Sequence, residues 1–592
     1  MCGLSGSFAH TGQLDRSLCV AMHDRLHHRG PDETFSLNER PLAAKLGRLG
    51  MVGLRNGWQP LEDTSGRCIA LANGEIYNAP ALFDELKIAP HKGNEVDVAI
   101  IPELIARYGI RGLEKIDGQF AAAVYDRRDD ALYLARDRFG ICPLFHATIS
   151  GVVHFCSELR PLVQSVPNGW RLNYTAVDEF LALGNIVAPR TLVDEVFAVP
   201  PGCAVRFDPT GEQLIRYWRY GDFSDSRAAP DSDALKSGLQ QSIATRLSAD
   251  VDIGAYLSGG FDSSAILLEA AGLSDRPVHS FSIVFDEPAL DERRFQREIT
   301  QNAGSVHREI RCARDDIARR FESMVRHCCF PQRETYNVAA LMLSEGVRHA
   351  GIKGVVSGEG ADELFFGYDS YAFDSARRNA RPENAMNEMA WGRADFAWEV
   401  DPRHVDARRR NFLSQSARGA IEGREYWRNR LIPYAEGELA DLSYMQVRSI
   451  ADTYVQLAGH LLGDHGDSMV MANSVEGRYP FLGNDVVALA LRTPDDAKMA
   501  DFEGKACLRH AYRGIIPDSV LDRGKHGFTA YDLQSVVEDR LWNQWRDLVH
   551  SVDALNADCM ASADDAYREE KWDFRLGAIS LAMIADELSL RS

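Results

Sequence analysis

The sequence predicts an α/β protein of more than one domain, and three observations predict it. The first third carries short alternating apolar stretches at residues 68–72, 121–125, 131–135 and 152–156, the pattern of half-buried strands. From residue 253 onward, apolar runs at 253–257, 278–285 and 353–357 alternate with helical segments, as in a parallel α/β sheet. Between the first of those runs and the helical residues 265–271 lies Ser258-Gly259-Gly260-Phe261-Asp262-Ser263-Ser264.

A strand, a Gly/Ser loop and a helix start together make an anion site. Backbone N–H groups and the positive end of the helix dipole face the loop, and glycines let a phosphate approach closely. The hydroxyls supply further donors, and Asp262 supplies the carboxylate that a phosphate-bound magnesium needs. The competing reading is an ordinary turn before a helix. Ser-Gly-Gly alone fits that reading, but the full motif in this context points to a nucleotide site.

At 592 residues the chain exceeds a single core and has room for two to four domains. Its composition, 45% hydrophobic and 26% charged, is that of an ordinary globular protein. The net charge of −20 argues against a general nucleic-acid binder or an anionic-membrane binder, since either needs a basic face. No apolar run approaches the ~18–20 residues of a membrane span, and the first residues lack the pattern of a signal peptide. The 11 cysteines are scattered without CxxC spacing, and the adjacent Cys328-Cys329 reads as buried packing. A cytoplasmic enzyme is expected.

The chain begins Met1-Cys2-Gly3-Leu4-Ser5-Gly6. Removal of Met1 would make Cys2 the terminal residue, and its α-amino group, with a reference pKa of ~8, could take the thiol proton. Met-Cys alone would be an arbitrary start. Downstream, however, come His28-Arg29-Gly30-Pro31-Asp32, Arg48-Leu49, Asn73-Gly74-Glu75-Ile76-Tyr77-Asn78, Asp117-Gly118-Gln119-Phe120-Ala121 and Ala135-Arg136-Asp137-Arg138-Phe139-Gly140-Ile141. With these motifs the first third, to about residue 215, resembles the class II glutamine amidotransferase domain. That is an N-terminal-nucleophile fold, an α-β-β-α sandwich of two stacked antiparallel sheets.

The resemblance implies that Cys2 attacks the side-chain amide of glutamine, with Asn73 and the Gly74 N–H as the oxyanion hole. Arg48 would grip the α-carboxylate, and Leu49, the backbone of Val52 and Glu75 would line the glutamine pocket. The family's Ser-Asp-x-Glu-Val is altered here to Gly93-Asn94-Glu95-Val96-Asp97-Val98-Ala99. Matching the Glu-Val pair puts Gly93 at the acid position that binds the α-ammonium. Counting back from Tyr108-Gly109 puts Asp97 there, with Ala99 replacing the family's Glu, and this register is adopted. His27 and His28 lack partners at metal-ligand spacing and read as structural. Residues 222–233, rich in Ser, Asp and Pro, read as the linker to a second domain, 216–592.

That second domain resembles the synthetase domain of asparagine synthetases, a parallel α/β pyrophosphate-loop ATPase of HUP-like fold. The motifs that carry the resemblance are the 258–264 loop, Ser280-Phe281-Ser282-Ile283, Ser357-Gly358-Glu359-Gly360-Ala361-Asp362-Glu363-Leu364 and Lys505-Ala506-Cys507-Leu508-Arg509. The resemblance implies ATP as substrate, split between its α and β phosphates. Leu257 and Ile283 would contact adenosine through backbone groups. Ser258, Gly259, Gly260, Asp262, Ser263, Ser264, Ser357 and Gly358 would complete the nucleotide site, and Asp262 and Asp362 would hold Mg2+. Lys505 would stand beside the acyl-adenylate, and Glu359 would aid its formation and accept a proton from ammonia.

The acceptor side departs from the family. Asp467-Ser468-Met469-Val470-Met471-Ala472 lacks its arginine, and Val475-Glu476-Gly477-Arg478-Tyr479-Pro480-Phe481-Leu482-Gly483 lacks its terminal acid, while Arg523-x-Lys525-x-Gly527-Phe528 matches. Loss of the cation fits either an acceptor without aspartate's second carboxylate or drift in a structural ion pair. The expectation is a homodimeric, glutamine-dependent asparagine synthetase that passes ammonia through an interdomain tunnel to an activated carboxylate. The same chemistry on a peptide, sugar acid or biosynthetic carboxylate is the alternative, and a non-catalytic scaffold is the reading from another class. Residues 531–592, with Trp542, Trp545 and Trp572, read as helical packing.

Overall fold

The computed structural model describes residues 1–10, 14–90, 93–223, 231–376, 385–396, 398, 412–422, 430–435, 437–524, 527–556 and 574–591. Part of the expected linker (224–230), Lys525 and Trp572 lie outside the described residues.

Two six-stranded sheets form the first domain. Its strands are β1 (Gly3–Phe8), β2 (Glu33–Glu39), β3 (Leu42–Arg48), β4 (Leu61–Glu62), β5 (Cys68–Ile76), β6 (Gly118–Asp126), β7 (Ala131–Arg136), β8 (Phe145–Ile149), β9 (Val152–Cys156), β10 (Phe197–Ala198), β11 (Cys203–Asp208) and β12 (Gly211–Arg216). One sheet runs β10-β8-β9-β1-β3-β2 and the other β12-β11-β7-β6-β5-β4, and the pairings are antiparallel. The period-two pattern explains the layering. Leu71, Ala121, Ala123, Leu132 and Leu134 face Leu4, Phe8, Leu46 and Phe155 between the sheets. Their neighbours Ala70, Ala72, Ala122 and Val124 face outward onto Leu82, Ile101 and Leu104 of helices Ala79–Leu86 and Ile100–Tyr108. On the other outer face, Ala147 and Cys156 meet Met22 and Leu162 of helices Arg16–Asp24 and Leu159–Ser165. The architecture is therefore α-β-β-α.

The second domain contains a five-stranded parallel sheet in the order β15-β14-β13-β16-β17. Its strands are β13 (Ile253–Tyr256), β14 (His279–Phe285), β15 (Val306–Cys312), β16 (Gly354–Val356) and β17 (Glu476–Arg478). The apolar runs expected at 253–257, 278–285 and 353–357 supply the three central strands. The two edge strands, Val-His-Arg-Glu-Ile-Arg-Cys and Glu-Gly-Arg, are polar and carry no apolar signal. The helix after the glycine loop is Phe261–Leu273 rather than beginning near residue 265, so Asp262, Ser263 and Ser264 lie in its first turn. Trp545 is buried, as its packing role requires. Among the described residues there is no disulfide, and no helix is long and apolar enough to cross a membrane.

The domains are clamped together by charge. Arg29 makes a bidentate pair with Asp467 (2.7 and 2.8 Å) and touches Glu158 at 3.1 Å, while Lys353 Nζ meets Asp32 at 2.7 Å. His28 pairs with Glu158 at 2.8 Å, a structural role.

Candidate active site

The N-terminal motif converges on the thiol. Cys2 is buried just ahead of β1, with the Leu49 N–H near enough to its sulfur to favour the thiolate. Burial pushes the thiol pKa up, against the pull of the nearby N-terminal ammonium. The Cys2 N–H donates to Asn73 Oδ1, while among the described residues the buried Asn73 Nδ2 has no hydrogen-bond partner. A buried unpaired donor is costly; beside a nucleophile, it suits a developing oxyanion. Gly74 sits at φ +145, where a Cβ would overlap the Gln119 carbonyl. Phe120, its partner in register, spends its N–H and C=O on Asp137, so the Gly74 N–H points off the ladder. Met1 precedes Cys2, with its ammonium on Glu476 and its sulfur 3.4 Å from Cys142 Sγ.

Two acids face one another in this chamber. Burial, then the Asp97 charge, raises the Glu75 carboxyl well above its usual range, and burial raises Asp97 to about 6. Asp97 also accepts the Ile76 N–H. Two crowded carboxyls of this kind suit an ammonium. Gly93, the rejected register, lies in a φ +75 turn, and among the described residues nothing comes within 4 Å of where a Cβ would sit. Arg48, expected to grip the glutamine α-carboxylate, is engaged within the chain. Its Nη hydrogens go to Glu33 (2.7 Å), Gly57 O (3.1 Å), Val52 O (2.8 Å) and Gly53 O (2.9 Å), so it braces the 52–57 loop.

Glu476 and Arg478, read from sequence as acceptor-side residues, instead turn toward this thiol chamber. Arg478 Nη2 lies 3.4 Å from Glu75, its Nε 2.7 Å from Glu476, and Gln119 Nε2 donates to Gly477 O at 2.9 Å. The same strand builds the second site, because the Ser357 N–H donates to Arg478 O at 2.9 Å. Edge strand β17 is thus a wall common to both domains' sites. Its sequence gave no hint of this, since it lacks an apolar pattern.

At the carboxyl ends of β13 and β16 the glycine loop closes on itself. The Gly260 N–H donates to Ser258 Oγ (3.2 Å), the Ser258 N–H to Ser263 Oγ (3.1 Å), and Ser264 Oγ to Gly260 O (2.7 Å). Gly259, at φ +87, needs to be glycine. The backbone of Leu257 is already engaged, its N–H with Phe281 O (2.9 Å) and its C=O with Ser282 Oγ (2.6 Å). Gln296 Nε2 reaches Ile283 O at 3.3 Å. A Cβ on Gly358 would come 3.0 Å from Asp262 Cβ, so this glycine lets the Ser357-Gly358-Glu359 turn lie against the loop.

Lys505 is buried and bonds Asp262 (2.6 and 2.8 Å) and Asp362 (2.7 Å). Its backbone is left-handed (φ +57), a strained conformation for lysine. Gly367, missed in the sequence, makes room: a Cβ there would overlap Lys505 Cε and Asp362 Oδ1. Glu359 keeps a buried Oε2 without a hydrogen-bond partner among the described residues, and burial raises its pKa. Tyr256, partly buried, and Tyr479, buried, were also missed; the hydroxyl pKa of each is raised by burial and then by the Glu359 charge. Among the described residues no group of three or more His, Cys, Asp and Glu side chains is placed to hold a metal unaided. The Asp262–Asp362 pair converges on one cationic point, which fits a divalent ion that takes its remaining ligands from phosphate and water.

Comparison with known proteins agrees with this anatomy. The family model described as asparagine synthase matches residues 234–572, and the model of a glutamine amidotransferase domain matches residues 1–218. An asparagine synthetase (glutamine-hydrolyzing) of Bacillus subtilis is 26% identical, covering 89% of this chain and 87% of that protein. A putative asparagine synthetase (glutamine-hydrolyzing) of Mycobacterium bovis is 29% identical over the same shares. Amidase chyE of Penicillium rubens is 25% identical, covering 89% of this chain and 88% of its own. With the amidotransferase domain ahead of its synthetase domain, the chain belongs to the asparagine synthase family of glutamine-hydrolysing, ATP-dependent ligases.

Proposed function

We propose that this ligase frees ammonia from glutamine at Cys2 and uses it to convert an ATP-activated carboxylic acid into an amide, with AMP and diphosphate as co-products. The observation that carries the reading is β17, which joins a thiol chamber holding an unspent amide donor to a phosphate loop holding a buried lysine.

Once Met1 is removed, the Cys2 amino group takes the thiol proton and the sulfur attacks the glutamine carboxamide; the C–N bond then breaks, the proton leaves with the ammonia, and water cleaves the remaining thioester to glutamate and the free thiol. Asn73 Nδ2 and the Gly74 N–H receive the oxyanion, while Glu75 and Asp97 hold the α-ammonium. Leu49 and Val52 line the pocket. Arg48 reaches the α-carboxylate after exchanging Glu33, which is half exposed. Ammonia then crosses toward Glu359 through the buried cluster that holds Cys2, Cys142 and Tyr479. A dry path matters because ammonia in water is mostly protonated.

In the second site Leu257 and Ile283 receive adenosine, and Ser258, Gly259, Gly260, Ser263, Ser264, Ser357 and Gly358 surround the phosphates. Asp262 and Asp362 would hold Mg2+, which would offset charge on the departing diphosphate. The acid's carboxylate attacks the α-phosphorus, the bond to the β-phosphate oxygen breaks, and Lys505 stabilises the adenylate. Ammonia displaces AMP, and Glu359 takes the surplus proton.

Aspartate is the first acceptor to test, by analogy with the named relatives. A different carboxylic acid is the second reading. It is supported by Ser468 standing where the family has an arginine, by Gly483 in place of the terminal acid, and by the amidase name of one relative. The test measures diphosphate release with ATP and a panel of acids, supplied with either glutamine or ammonia, in the wild type and in Cys2→Ala. The variant is expected to lose glutamine-supported turnover and keep ammonia-supported turnover. Loss of both together, or no diphosphate with any acid, overturns the proposal.

A further inference from the structure

Two polar atoms are buried at the end of the parallel sheet, the Tyr256 hydroxyl and Glu359 Oε2, and among the described residues neither has a hydrogen-bond partner. Burying an unpaired polar group is costly, and a ligand that paired with both would remove the cost.

The sheet brings the two groups to one place. Val356 of β16 lies opposite Ala255 of β13 on one side and Arg478 of β17 on the other. One residue further along, Tyr256 and Tyr479 therefore flank Ser357, and the bond from the Ser357 N–H to Arg478 O (2.9 Å) carries the β17 register to that point. Residues that lie opposite one another across a sheet project to the same face, so both tyrosines share the face that Ser357 takes. Glu359 follows in the same turn, with the Ser357 hydroxyl near enough to favour its charge. The Glu359 charge in turn raises the pKa of both phenols, after burial, and Tyr256 adds to the effect on Tyr479.

This place lies between the two chambers. On the ligation side Gly358 sits so close to Asp262, the partner of Lys505, that a Cβ would come 3.0 Å from Asp262 Cβ. On the thiol side the Tyr479 hydroxyl feels Cys142, whose sulfur is 3.4 Å from Met1 Sδ. Two glycines make room for that hydroxyl: a Cβ on Gly466 would come 2.8 Å from it, and one on Gly477 2.7 Å.

We propose that Tyr256 is a catalytic residue of the amidation step, its hydroxyl oxygen accepting one N–H of the incoming ammonia while Glu359 Oε2 accepts another. Ammonia has three N–H bonds and a single lone pair. With two of its hydrogens held by acceptors, the lone pair is left for the activated carbonyl carbon, so the nucleophile is oriented before it reacts. The C–N bond forms, the bond from that carbon to the AMP oxygen breaks, and Glu359 takes the surplus proton. The inference rests on the amidation reading above.

The test is Tyr256→Phe, which removes the oxygen and keeps the ring. Amide formation is followed with the most active acid of the panel while ammonia, ATP and the acid are varied in turn, and glutaminase activity at Cys2 is the folding control. The KM for ammonia should rise about tenfold, while those for ATP and the acid stay within about twofold. With glutamine as donor, the amide formed per glutamate released should fall, because ammonia that is not held escapes before it reacts. An unchanged KM for ammonia overturns the inference. A matching rise in all three KM values, or a fall in glutaminase activity, marks a packing role and overturns it as well. A wild type that forms no amide from ammonia with any acid overturns the amidation reading itself, whatever the variant does.

Discussion

Arg478 of the second domain lies 3.4 Å from Glu75 of the first, with both side chains buried. The same guanidinium holds Glu476 at 2.7 Å and the carbonyls of Arg246 (2.8 Å) and Ser248 (3.1 Å). Removing it strands two buried acids. Arg478→Ala is expected to cost about 3–5 kcal/mol of stability, measured by denaturant unfolding, and to impair glutaminase and diphosphate release together. A loss confined to one activity would contradict the shared wall.

Asn73→Ala deletes the unspent donor beside Cys2. Loss of one oxyanion donor costs about 10²–10³ in kcat. Steady-state glutaminase assays should show that fall with little change in KM, while ammonia-supported diphosphate release stays intact.

Asp97 titrates at about 6 because burial disfavours its charge. Glutamine's ammonium needs the carboxylate, so the KM for glutamine should rise as pH falls below about 6, by up to about tenfold per unit. The sign for folding is opposite. A carboxyl whose folded pKa is raised favours the native state most below its unfolded value of ~3.9, and that contribution is lost as pH rises through about 6. In Asp97→Asn the KM should be high and flat across this range, read from glutaminase profiles between pH 5 and 8.

Much of this anatomy was legible in the sequence, and the exceptions have physical causes. The first domain's inner strands bury both faces with small and aliphatic residues, so continuous apolar runs such as Ala121–Ala122–Ala123 declared themselves. Strands β15 and β17 did not, because an edge strand can carry charge. The placement of Glu476 and Arg478 at the thiol was hidden for the same reason, since only the parallel pairing of Arg478 with Val356 aims their side chains across the domain boundary. The backbone partners of Arg48 were not legible, because they depend on how the 52–57 loop closes. Gly367 acts through the space it leaves for Lys505, and no local pattern encodes that.

Lys505→Gln leaves Asp262 and Asp362 facing each other without their shared cation. Diphosphate release should fall by about 10²–10³, while glutaminase activity at Cys2 holds to within about twofold. Gly367→Ala should show a weaker loss of the same kind, because its methyl group collides with the lysine stem. An unimpaired Lys505→Gln would remove the lysine from the chemistry.

The three residues of β17 also bear on how this chain can be taken apart. Cutting in the segment that joins the two domains would yield an amidotransferase fragment with no counter-cation for Glu75 and no carbonyl for Gln119, and a ligase fragment whose Arg478 has lost an anion. The halves are not interchangeable cassettes. Recombining either with a relative's other half would succeed only if the donor brought a matching Glu-Gly-Arg seam.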